Sequence, residues 1–139
     1  MSENVKTKKA PDPVGKYPHA RKVGNLLFLS GVGPRRPGTN VIPGVMMDGQ
    51  GNAVGHDIEA QCHSVFENVR IILKEAGSSW KNLIDITVFL TNMSRDFDTF
   101  NNIYSDYFTD NQPCRTTVEV NSLPTPIAIE LKCIATIEE

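Results

Sequence analysis

The chain has 139 residues, 40% of them hydrophobic and 22% charged, with a formal net charge of −2. That length suits one soluble domain with an ordinary core, and the slight acidic excess argues against a general nucleic-acid surface. The three cysteines, Cys62, Cys114 and Cys133, include no closely spaced pair, which points to reduced thiols and away from a disulfide framework or a zinc knuckle.

The opening MSENVKTKKAPDP is polar and carries the one dense basic run, Lys6 to Lys9. Residues 1–10 read as a flexible, solvated tail, and they lack the apolar stretch of a signal peptide. No apolar run is long enough to span a bilayer, so the expectation is a cytoplasmic protein with no membrane partner. Tyr17 to Val23 and Asn25 to Gly31 read as two short strands around Gly24, the second carrying Leu26, Leu27, Phe28 and Leu29. So apolar a run predicts a strand covered on both faces. Val32 to Gly55 is rich in glycine and proline and reads as a long loop with room for a short strand. Long loops in compact domains are often functional.

Asp57 is placed to cap a helix whose apolar residues, Ile58, Cys62, Val65, Phe66, Val69, Ile72, Leu73 and Ala76, recur every three or four positions until Gly77. Leu83 to Leu90 follows as a branched, apolar strand. Ser94 then opens a second helix with Phe97, Phe100, Tyr104, Tyr107 and Phe108 along one side. The order of elements predicts an α+β domain, a mixed sheet with two helices on one face.

The segment Pro113 to Glu139 reads as two strands joined by a proline-containing turn. By parity Thr116, Val118 and Val120 share a dry face with Cys114, while Arg115, Thr117, Glu119 and Asn121 share the other. In the second strand Ile127, Ile129, Leu131, Cys133, Ala135 and Ile137 form one apolar face, and Glu130 with Lys132 points away. Pairing the dry faces as a hairpin, with Val118 opposite Ile127, sets Arg115 opposite Glu130. Such a pair is either a cross-strand ion pair worth about 0–1 kcal/mol or the wall of a pocket, with Arg115 for a carboxylate and Glu130 for a proton or a water. The apolar face of the second strand is too dry for solvent if it lies opposite the helices, and oligomerisation would cover it.

Other chemistries find little support. His19, His56 and His63 make no metal-ligand constellation, and no metal or other cofactor is expected. GQGNAVG, Gly49 to Gly55, lacks the buried strand that precedes a dinucleotide loop. Cys114 beside Arg115 has the neighbour of a nucleophilic thiolate but the parity of a structural cysteine. Arg35 and Arg36 are either solvated charge or part of a functional loop.

Several stretches together carry a resemblance: PCRTTVEV followed by LPTPIAIELKCIA, APDPVGKY, VGNLLFLSG, and AQCHSVFENVRIILKEAG followed by ITVFLTNM and DFDTFNNIYSDYF. In order and spacing they resemble the Rid family of reactive intermediate or imine deaminases over nearly the whole chain. The resemblance implies a chorismate-mutase-like fold and a homotrimer with clefts between subunits. It implies a small-molecule enamine or imine carboxylate as substrate, gripped by Arg115, with Glu130 handling the hydrolytic water. Tyr17 corresponds to a tyrosine lining the cleft, and Ser30, Gly31 and Asn101 to pocket or scaffold positions. The chain departs from the family in having Val32 where glutamine is frequent, Thr117 where cysteine is frequent, and a longer 32–55 loop. PHARKVGNLLFLSGVGPRRPGT most resembles the branch acting on 2-aminomuconate, a dicarboxylate for which Arg35 or Arg36 would supply a second cation. The resemblance also permits a general 2-imino acid deaminase, or an RNA-cleaving or translation-inhibiting protein.

Overall fold

A computed structural model describes residues 2–137. The strands are β1 (Ser2–Val5), β2 (Ala20–Val23), β3 (Leu26–Leu29), β4 (Val45–Met47), β5 (Ala53–His56), β6 (Leu83–Leu90), β7 (Cys114–Glu119) and β8 (Ile129–Thr136). Two helices, α1 (Ile58–Glu75) and α2 (Met93–Tyr107), complete the domain. Six strands form one mixed sheet in the order β1-β2-β3-β8-β6-β7, and β4 pairs with β5 as a separate hairpin.

Local chemistry explains most boundaries. Gly24, with φ +60°, makes the tight turn between β2 and β3 that a side chain would disfavour. The Asp57 carboxylate accepts from the Ala60 amide as the α1 cap, and Gly77, at φ +79°, follows its last turn. The cap of α2 is Asn92, whose side chain accepts from the Arg95 amide, two residues before the expected Ser94. Every apolar residue assigned to the buried stripe of α1 is buried. Beneath the helices lie Leu27, Leu29, Ile86, Val88, Leu90, Ile129, Leu131, Cys133 and Ala135, each at most 1% exposed. Burial pushes the Cys133 thiol up to about 12, consistent with an inert core cysteine.

Four expectations need correction. The polar start is no tail, because Ser2–Val5 adds a strand through backbone pairing with β2 and Lys9 reaches Glu75 at 3.5 Å. Backbone hydrogen bonds are indifferent to side-chain polarity, so hydropathy gave no sign of this strand. The 32–55 loop holds a hairpin of two strands rather than one short strand. The apolar face of β8 lies under the helices, so it is not the face that an oligomer would cover.

Most consequentially, β7 and β8 do not pair with each other. Both flank β6, β7 in parallel and β8 antiparallel. Helix α2 is the crossover that a parallel β6–β7 pair requires. The connection from β7 to β8 is too long for a tight hairpin, and its ends bond to the end of β6: the Val120 amide donates to the Leu90 carbonyl, and the Thr91 amide donates to the Ala128 carbonyl.

Candidate functional site

The pairing around β6 determines where the two charges point. Arg115 stands opposite Ile86 and Glu130 opposite Phe89, and these β6 positions have opposite parity. Ile86 is buried under the helices, so Arg115 faces the helix layer and Glu130 the other side of the sheet. The same register makes Cys114 exposed, where the hairpin reading put it on a dry face.

Arg115 is half-buried at the edge strand. Its Nη1 donates to Asn101 Oδ1 at 2.8 Å, and its guanidinium carbon lies 4.7, 5.4 and 5.9 Å from the ring centres of Tyr104, Phe100 and Phe97. The aromatic stripe of α2 is therefore core on one flank and an arginine bed on the other. No carboxylate among the described residues pairs with this guanidinium. Beside it, the hydroxyls of Thr117 and Tyr104 are buried without a hydrogen-bond partner among the described residues. Burial pushes the Tyr104 phenol up to about 12, keeping it neutral.

Glu130 belongs to a cavity that also draws on Tyr17, Ser30, Gly31, Arg35 and Thr125. Its carboxyl is half-buried, and desolvation raises its pKa above the ordinary value; no neighbouring cation offsets the rise. Gly31 makes room for this carboxyl: a Cβ there would stand 2.9 Å from Glu130 Oε2, so a side chain would displace the carboxyl from its present position. Ser30 is scaffold, its hydroxyl donating to the Pro18 carbonyl at 2.7 Å and its amide to the His19 carbonyl. Buried His19 ties the same wall together, donating from Nε2 to the Pro11 carbonyl and accepting from the Thr7 amide at Nδ1. Tyr17, 39% exposed, stands at the mouth, its hydroxyl accepting from the Val14 amide.

The sequence candidates thus fall into two groups. Tyr17, Ser30, Gly31, Arg35 and Glu130 share one cavity, whereas Asn101, Arg115 and Thr117 lie on the helix side of the sheet. Arg36 joins neither; it is exposed in a turn whose backbone closes on Val41. The Tyr104 bed and the His19 brace escaped the sequence reading, although Tyr104 was visible as part of the aromatic stripe. Among the described residues no cluster of side chains fits a metal ion, and no helix is long and apolar enough to cross a membrane.

Comparison with known proteins agrees with this architecture. The family described as Endoribonuclease L-PSP matches residues 7–137. A RutC family protein of Pyrococcus abyssi is 40% identical over 133 residues, covering 96% of this chain and 95% of that one. Reactive Intermediate Deaminase A of Arabidopsis thaliana, a chloroplastic protein, is 38% identical over 97% of this chain and 66% of its own. The crystal structure of E. coli TdcF with bound serine superposes with a TM-score of 0.83 at 31% identity, covering 98% of this chain and 99% of that one. A mitochondrial relative from Saccharomyces cerevisiae shows that kinship fixes no compartment. By the extent of these matches, the chain belongs to the Rid/RutC/L-PSP family.

Proposed function

We propose that this protein hydrolyses an enamine or imine acid to a 2-oxo acid and ammonia. The observation that carries the reading is a pair of uncompensated charges: Arg115, bedded on aromatic rings with no carboxylate partner among the described residues, and Glu130, half-buried with no cation to lower its pKa. A guanidinium so held offers a carboxylate two charge-assisted hydrogen bonds. A carboxyl with a raised pKa suits general-base work near neutrality.

In the reaction, protonation of an enamine at carbon gives an iminium, and Glu130 takes a proton from water as its oxygen attacks the iminium carbon. The tetrahedral adduct then receives a proton on nitrogen, and as its hydroxyl gives up a proton to solvent the C–N bond breaks, releasing ammonia and leaving the 2-oxo acid. Arg115 holds the carboxylate next to the reacting carbon throughout. The names of relatives, among them Reactive Intermediate Deaminase A, support a general imine deaminase. For the finer substrate we favour 2-aminomuconate, on the strength of the 18–39 segment.

Within one chain Arg115 and Glu130 lie on opposite sides of the sheet, so both can reach one substrate only if neighbouring subunits supply them. A homotrimer with clefts between subunits meets that need. It would also cover Phe28, Phe89 and Ile134, which remain half-exposed on the helix-free face. The discriminating experiment follows ammonia release from 2-aminomuconate and 2-iminopropionate, with RNA cleavage assayed in parallel. Arg115→Ala should lower kcat/KM at least about tenfold on either substrate, the loss expected for a charged hydrogen-bonding partner. Full activity in a correctly assembled Arg115→Ala protein, or RNA cleavage without ammonia release, would overturn the reading.

A further inference from the structure

The start of the long loop is fastened to α1 in an unusual way. Three successive carbonyls, those of Gly33, Pro34 and Arg35, accept hydrogen bonds from two helix side chains. Asn68 Nδ2 donates to Gly33 at 2.9 Å and to Arg35 at 2.8 Å, and Ser64 Oγ donates to Pro34 at 2.6 Å. Ser64 and Asn68 are one helical turn apart and so share a face. Asn68 is 2% exposed, and its two amide hydrogens meet two acceptors with none left over. Pro34 has no amide hydrogen, so this stretch could not hold itself in place by an ordinary ladder.

What the clamp holds in position is Arg35. Its side chain lines the Glu130 cavity and donates to the Asp12 carbonyl across it. Among the described residues no carboxylate pairs with it. Arg35 and Glu130 line the same cavity, and among the described residues no ion pair joins them, so neither charge is consumed by the other. Arg36, one residue on and outside the clamp, is exposed and lines no part of the cavity.

We infer that Arg35 forms a distal anion subsite, and that Ser64 and Asn68 are positioning residues that fix it there, which selects enamine or imine acids bearing a second carboxylate. This rests on the deaminase reading for the reaction, but the subsite itself is a matter of binding. A substrate with carboxylates at both ends would be held by Arg115 at one end and Arg35 at the other, its reacting carbon facing Glu130. A short monocarboxylic imine would use only Arg115.

The test pairs kinetics with binding by the intact protein. In ammonia release, Arg35→Gln should raise KM for a dicarboxylic enamine acid by roughly tenfold or more, the loss expected with a charge-assisted bond. Its kcat on that substrate and both constants for 2-iminopropionate should stay within about twofold. Asn68→Ala should show the same split, and Arg35→Gln with Asn68→Ala together should be little worse than Arg35→Gln, because both act through one contact. Ser64→Ala, which removes a single bond, should give a weaker form of the split with less risk to folding. Calorimetric titration with 2-oxoadipate and 2-oxobutyrate supplies the second readout: the unaltered protein should bind the dicarboxylate more tightly, and Arg35→Gln should erase the preference. Equal binding of both acids, or equal losses on both substrates in the Asn68 and Ser64 variants, would overturn the inference even if deamination is confirmed. A preference for 2-oxoadipate that depends on Arg35, without any ammonia release, would leave the subsite standing and remove the deaminase reading instead.

Discussion

Glu130 occupies a costly position for a carboxylate, because burial disfavours its charge and no cation compensates. Its raised folded-state pKa means that the native chain holds this proton more tightly than the unfolded chain does. The contribution to stability is therefore fully present below the ordinary carboxylate pKa and is lost as pH rises through the raised value. At neutral pH the ionised side chain works against the fold, an expected feature of a group retained for chemistry. Glu130→Gln should raise the urea midpoint at pH 7, with the gain shrinking toward pH 4, while turnover collapses. In the unaltered enzyme the acid limb of the kcat profile should lie above the usual carboxylate range. A Gln variant with unchanged turnover would remove Glu130 from the mechanism, and one less stable at pH 7 would contradict the assigned burial cost.

At the scale of elements, α1 does more than cover the sheet. Its apolar stripe packs on β8, its Ser64 and Asn68 hold the loop, and buried Gln61 accepts from the Ala128 amide just before β8 begins. Its start depends on the Asp57 cap, so Asp57→Ala should cost about 1 kcal/mol of unfolding free energy, measured by denaturant titration. A loss below a few tenths of that would show that tertiary packing alone sets the helix start. The stripe and cap of α1 were legible in the sequence because the 3.6-residue period and capping chemistry are local. The partners of β7 were not, since parity fixes which residues share a face but not which strand lies beside them. That gap misplaced Arg115 and Glu130 together and reversed the exposure of Cys114. Ser64 and Asn68 left a faint signal as polar residues bordering an apolar helix face, but their acceptors lie some thirty residues upstream, beyond any periodicity argument.

The whole molecule has to solve what one chain leaves open: an arginine on one side of a sheet and a glutamate on the other. A closed trimer, with Arg115 from one subunit and Glu130 from its neighbour in each cleft, makes a prediction that a self-contained site does not. Arg115→Ala and Glu130→Gln, each nearly inactive alone, should restore activity when unfolded together in equal amounts and refolded. A cleft works when its arginine comes from a Glu130→Gln chain and its glutamate from an Arg115→Ala chain, so random assortment returns roughly a quarter of the clefts. Sedimentation of the mixture checks that trimers have formed, and each variant refolded by itself gives the baseline. If the mixed trimers are no more active than that baseline, the cleft does not draw its two charged groups from different subunits, and Arg115 and Glu130 cannot be partners in one reaction.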